Sequence, residues 1–182
     1  MSWNEMVTRC AAGDRTLFLL LAPLRTSSWG RFWNRTISHL ADGPLYALIA
    51  VLPLLLGHAA GLAFLMQMAL GFALELPAYK LIKHFCRRPR PCHANLERDQ
   101  HLMPVPDQYS FPSGHTAGAF VLLACCRLFF PGLAFSAWLF ALSVAYSRVY
   151  NRLHFPLDTL AGAALGTACV ALSHPLIPVL LP

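Results

Sequence analysis

Hydrophobic residues make up 57 % of this 182-residue chain and charged residues only 12 %, where soluble domains carry roughly 25 % charged. A chain so poor in charge cannot cover a water-facing surface, which excludes an ordinary soluble domain, and its length suits one domain over 1–182 rather than two. The net charge of +6 gathers at 9–35, at 80–98 and at Arg148 and Arg152. A nucleic-acid partner would need a continuous solvated basic face, so these clusters point instead to anionic lipid or a phosphorylated substrate.

Along the chain, the apolar run 17–24 is shorter than the roughly 20 residues a spanning helix needs. Trp3, Trp29, Phe32 and Trp33 lie around it among arginines, and aromatic and basic residues together favour the membrane interface. One or two interfacial helices are expected over 1–37, with a short sixth span as the competing reading. No cleavable signal peptide is expected, because the run follows mixed charge and ends at Arg25 without a small-residue cleavage site.

Residues 43–74 contain no Asp, Glu, Lys or Arg, too long a stretch for one span. Gly57-His58-Ala59-Ala60-Gly61 is a plausible turn, dividing it into helices at about 38–57 and 61–83. A polar segment at 84–111, rich in Arg, Pro, Asp and His, reads as an extramembrane loop, and loops of that length are commonly functional. Apolar runs at 112–130, 133–146 and 156–181 follow, the first two separated by Pro131-Gly132. The expected fold is an all-α polytopic membrane helix bundle with five spans. In the last helix Gly162 and Gly166, with Ala161, Ala164, Thr167 and Ala168, form a face for close helix packing.

Three clusters carry chemistry. Lys83 is followed after six residues by Arg90-Pro91. Pro112-Ser113-Gly114-His115 forms the second cluster, and Ser147-Arg148, His154 and Asp158 form the third. If helix 61–83 ends at the first cluster and helix 112–130 begins at the second, the chain crosses and returns, bringing all three to one membrane face. Lys83, Arg90 and Arg148 converging there would repel one another unless a multiply charged anion sat between them. Arginine forks match phosphate oxygens and lysine adds a point charge. Pro112 suits a first helical turn, and the N–H groups near Ser113 and Gly114 would then face the anion. His154 and Asp158, four apart, share a helix face. Asp158 can hold one ring nitrogen of His154 and leave the other free to attack, with His115 as general acid.

These eleven residue types with their spacings resemble the tripartite signature of the type 2 phosphatidic acid phosphatase family, over about three quarters of the chain. The resemblance implies an all-helical membrane fold and metal-independent dephosphorylation with no cofactor. His154 would be the nucleophile forming a phosphohistidine and Asp158 its orienting partner. His115 would act as acid and then base, and Lys83, Arg90, Ser113, Gly114 and Arg148 would hold the phosphoryl oxygens. The expected substrate is a lipid phosphate or diphosphate: undecaprenyl diphosphate, favoured by the short chain, phosphatidylglycerophosphate or phosphatidic acid. The alternatives are a lipid-to-lipid phosphotransferase and a non-catalytic lipid or anion carrier; a vanadate-binding haloperoxidase is disfavoured by the spans. Bacterial members of the family commonly have six spans.

Other residues are read structurally. Cys125, Cys126 and Cys169 lie in apolar runs as small hydrophobes, whereas Cys86 and Cys92 flank the basic loop and could form a disulfide in an oxidising compartment. Cys86 and Cys92 with His84, His93 and His101 match no common zinc spacing. Glu75 is expected to pair with Lys80 or a polar group of another helix, and Arg87 and Arg88 to add positive field near the substrate entrance. The resemblance places the site on the periplasmic or outer face of a bacterial plasma membrane. The positive-inside rule pulls the other way, and Arg9, Arg15, Arg25, Arg31 and Arg35 are not accounted for by phosphate binding.

Overall fold

The structure, a computed structural model, describes residues 3–22, 26–93, 103–105 and 107–181, with side chains from residue 11 onward. Arg25 and His101, and the side chains of Trp3, Arg9 and Cys10, lie outside the described residues. Among the described residues eight α-helices follow in order: α1 Trp3–Leu21, α2 Ser28–Leu40, α3 Gly43–Leu55, α4 Gly61–Cys86, α5 Gly114–Phe129, α6 Ala134–Tyr150, α7 Pro156–Ser173 and α8 Ile177–Leu180. Among the described residues the only β feature is an isolated bridge between Pro89 and Tyr109.

Segments Gly61–Cys86, Pro131–Tyr150 and Pro156–Leu180 are each long and apolar enough to cross a bilayer, and α2 with α3 pass the same test together. With exposed Leu62, Leu74 and Leu81 on α4 and Phe135, Trp138 and Leu139 on α6, this is an integral membrane protein. The count of three or four falls short of the expected five, because α5 has 16 residues, about 24 Å of helix against a hydrocarbon core of about 30 Å.

The expected span 38–57 is instead divided. α2 and α3 meet at 57°, and Asp42-Gly43-Pro44 makes the break: Asp42 is the N-cap of α3 and Pro44 lies in its first turn. Proline tolerates that turn because its missing N–H has no partner to lose. The Gly57–Gly61 turn is where it was expected, with Gly57 at φ 70°. α5 starts at Gly114, not at Pro112. Ser113 is the N-cap, its Oγ accepting from Thr116 N at 3.4 Å, so Pro112 stands outside the helix. α6 runs past Tyr146 to Tyr150 and carries Arg148 on its last turn.

The core lies among α3, α4, α5, α6 and α7, filled by Phe64, Met68, Val121, Leu122, Val144 and Val170. α5 is buried along most of its length, with α7 as its closest neighbour. Gly162 and Gly166 make that approach possible: a Cβ at Gly166 would stand 2.1 Å from Ala117 O, and one at Gly162 2.4 Å from Ser113 O. The contact also fixes the site, because Ser113 N donates to Asp158 O at 2.9 Å, pinning the start of α5 to the start of α7. No bond joins Cys86, which is exposed, to Cys92, which is buried.

Gly166→Ala forces backbone apart and should destabilise the protein by about 1–3 kcal/mol, seen as a lower melting temperature in detergent. Gly132→Ala, with nothing within 4 Å of the added carbon, should leave it unchanged.

Candidate active site

The loops joining α4 to α5 and α6 to α7 meet at one end of the bundle. There Lys83, Arg90, Gly114, His115, Arg148 and His154 line a single cavity of about 560 Å3. Lys83 lies in the last turn of α4, Arg148 in the last turn of α6, and Gly114 and His115 open α5. The first N–H groups of a helix have no intrahelical partner, so α5 brings donors to the cavity together with its positive dipole end. Ser113 and Asp158 are not in the cavity wall. Ser113 caps α5 from within the protein, and Asp158 stands behind His154.

Arg90 is fixed by several partners and Arg148 by one. Arg90 is fully buried; its Nη1 donates to Leu153 O at 2.8 Å and its Nε to Asp107 O at 2.8 Å. Arg148 is 2 % exposed, donates from Nη1 to Ser38 Oγ on α2, and keeps a buried Nε with no hydrogen-bond partner. A buried donor without an acceptor is costly, and a phosphoryl oxygen in the cavity would supply one.

The two histidines have different surroundings. Arg90 Nη1 stands 3.2 Å from His154 Nε2. A guanidinium can only donate, so Nε2 carries the lone pair and the ring proton belongs to Nδ1. Burial, then the positive charges of Arg148, Arg90 and Lys83, hold His154 well below its usual pKa of 6.5, leaving a neutral imidazole. His115 instead meets a carboxylate, with its Nε2 2.9 Å from Asp42 Oδ1.

The expected hydrogen bond between His154 and Asp158 is long: Nδ1 to Oδ2 is 3.7 Å, and Nδ1 has no hydrogen-bond partner. The Asp158 oxygens are engaged elsewhere, Oδ2 by Phe155 N at 2.8 Å and Oδ1 by Arg88 Nη1 at 2.7 Å. Arg88 is therefore not an entrance residue. It bridges Asp158 to Asp14 of α1, donating from Nη2 to Asp14 Oδ2 at 2.6 Å, and Asp14 in turn accepts from Leu157 N at 2.9 Å. Arg87, in the left-handed conformation at φ 45°, closes α4 and donates to His84 O at 3.0 Å.

Asp107, Asp42, Asp14, Arg88 and Ser38 are the site residues that motif reading missed. Asp107 bridges two cations of the cavity: its Oδ2 is 2.8 Å from Lys83 Nζ and its Oδ1 2.7 Å from Arg90 Nη2. Burial opposes its ionisation, but the hydrogen bonds and charges of Lys83 and Arg90 outweigh it and hold the carboxyl below its usual range. With Asp42 also in the wall, two carboxylates stand against three cations, and the polar end keeps an excess of one positive charge for an anion.

A helical membrane bundle with a cationic, two-histidine cavity at one end defines a class of lipid-phosphate-handling membrane proteins. The PAP2 superfamily model matches residues 59–180, and the chain belongs to that superfamily. Over 136 residues it is 31 % identical to the undecaprenyl-diphosphatase of Sulfolobus acidocaldarius; the match covers 69 % of this chain and 61 % of that protein's length. The crystal structure of Aquifex aeolicus LpxE superposes with a TM-score of 0.73 at 29 % identity, covering 88 % of this chain and 93 % of that one. The PAP2-type phosphatidylglycerolphosphate phosphatase of Bacillus subtilis has the same fold, with a TM-score of 0.71 at 24 % identity and coverage of 94 % and 87 %.

Asp107→Asn removes a carboxylate that competes for Lys83 and Arg90, while its main-chain oxygen still holds Arg90. Orthovanadate should therefore bind several-fold more tightly, read by titration calorimetry on purified protein. The depressed pKa of His154 also has a sign. Below about pH 6.5 the unfolded chain takes up a proton that the native imidazole refuses, so stability is lost as pH falls. The melting temperature should drop between about pH 7 and about pH 5, and less steeply in His154→Asn.

Proposed function

We propose that this protein is a metal-independent lipid phosphatase that works through a phosphohistidine on His154. The single observation that carries the reading is the cavity itself. It joins a polar end holding three cations and two histidines to an apolar groove between α3 and α4, a shape that suits a phosphate carried on a hydrophobic tail.

In the first step His154 Nε2 attacks phosphorus, the N–P bond forms, and the bond from phosphorus to the lipid oxygen breaks. His115 gives its proton to the departing oxygen. Arg90, Lys83, Arg148 and the first N–H groups of α5 stabilise the charge on the transferring phosphoryl oxygens. Asp158 takes up the Nδ1 hydrogen bond as positive charge develops on the ring; such bonds are often long without substrate and tighten in the reacting complex. In the second step His115 removes a proton from water, the water oxygen bonds to phosphorus, and the N–P bond breaks to release phosphate. Asp42 orients His115 through both steps.

Substrate candidates are undecaprenyl diphosphate, the substrate named for the archaeal relative, together with phosphatidylglycerophosphate and phosphatidic acid. A site at headgroup depth, where the long apolar helices would end, would favour a lipid over a soluble ester. We also propose five crossings, with α5 embedded as a short one and α1 at the interface, and a site opening on the outer face of the plasma membrane.

The test is phosphate release from a panel of lipid phosphates by detergent-purified protein with EDTA present. Wild type should release phosphate and His154→Ala should lose at least about a thousandfold. Equal release by the mutant, or loss of activity on adding EDTA, would overturn the mechanism. Transfer of phosphate to a second lipid without free phosphate would make the protein a transferase.

A further inference from the structure

The part of the cavity away from the histidines holds two polar groups that the proposed chemistry does not use. Below Lys83 the wall is built by Ala47 and Ala50 of α3 and Met68 and Phe72 of α4, surfaces suited to hydrocarbon. Set into it are Glu75 of α4 and Tyr46 of α3, both lining the cavity. Glu75 is 1 % exposed and Tyr46 5 %. Glu75 Oε1 and the Tyr46 hydroxyl have no hydrogen-bond partner, and the expected pairing of Glu75 with Lys80 is not formed. Neither residue belongs to the signature motifs.

A buried carboxyl without a counter-ion is cheapest as the neutral acid, which donates one hydrogen bond, as does a tyrosine hydroxyl. Two donors without acceptors, facing one apolar cavity, call for a neutral acceptor oxygen on the ligand. Eight residues separate Lys83 from Glu75, about 12 Å along the helix. The acyl linkages of a lipid fall within that distance of its headgroup phosphate. A polyprenyl chain offers only hydrocarbon there and would leave both groups unsatisfied, at a cost that discriminates between substrates.

We infer that Glu75 and Tyr46 form a subsite for an acyl carbonyl, so that the protein selects lipid phosphates bearing ester- or amide-linked chains over polyprenyl diphosphates. This deepens the phosphatase reading and rests on it. The test compares kcat/KM for diacylglycerol phosphate and for its dialkyl ether analogue with chains of equal length, which removes the carbonyls and keeps the phosphate, glycerol and hydrocarbon.

Wild type should prefer the ester by about fivefold for each hydrogen bond made. Glu75→Leu should reduce that preference severalfold, Tyr46→Phe should reduce it less, and Glu75→Gln, which keeps an N–H donor, should retain most of it. Equal rates for ester and ether in wild type would overturn the inference, and that result needs no variant to fold. So would a preference that survives Glu75→Leu, or faster turnover of undecaprenyl diphosphate than of either glycerol lipid; each leaves the phosphatase reading standing. Failure to release phosphate from any of the three lipids would remove both.

Discussion

Like-charge repulsion is the constraint around which this protein is arranged. Lys83, Arg90 and Arg148 arrive from three different segments at one end of an apolar bundle, where charge is poorly screened. The fold tolerates them because each is tied down by oxygen atoms. Asp107 spans Lys83 and Arg90, Leu153 O holds Arg90, and Ser38 holds Arg148. A second, deeper system of Asp158, Arg88 and Asp14 gives the carboxylate behind His154 a counter-charge and ties α1 to the start of α7. Removing one member of such a buried set leaves its partner's charge uncompensated, at a cost of about 3–5 kcal/mol. The same positive excess suits the cavity to an anion.

This arrangement also separates the two histidines chemically. His154 is enclosed by cations and accepts from Arg90, so Nε2 is its unprotonated nitrogen. His115 sits against the carboxylate of Asp42, a partner that can steady a ring which must carry and pass on a proton. The proposed division into nucleophile and acid rests on the motif. The link to Asp158, which the motif would make the principal support of His154, is longer in the structure than the link from Asp42 to His115.

Much of this was legible in the sequence, because the information was local. The signature residues sit at helix ends that proline, glycine and charge mark out, and Gly57, Pro131-Gly132, Gly162 and Gly166 announce turns and close packing through backbone geometry alone. What was missed depends on contacts distant in sequence. Asp42 lay within a stretch read as one helix, although Asp42-Gly43-Pro44 is a helix-start pattern that could have signalled the break. Asp14 meets Arg88 across 74 residues, and Asp107 meets Lys83 across 24. Such pairs leave no periodic trace, so a polar loop read by spacing gives no sign of which carboxylate returns to the site. Nor does an apolar run reveal that Glu75 faces a cavity rather than a lysine on its own helix.

The central claim is that His154 Nε2 carries the phosphoryl group between lipid and water. Wild-type protein mixed with lipid phosphate, quenched in alkali to preserve phosphohistidine and digested for mass spectrometry, tests it directly. The account predicts phosphate on the peptide bearing His154, and none there in His154→Asn. Phosphate on His115, or full turnover with no phosphorylated histidine in either protein, would contradict it.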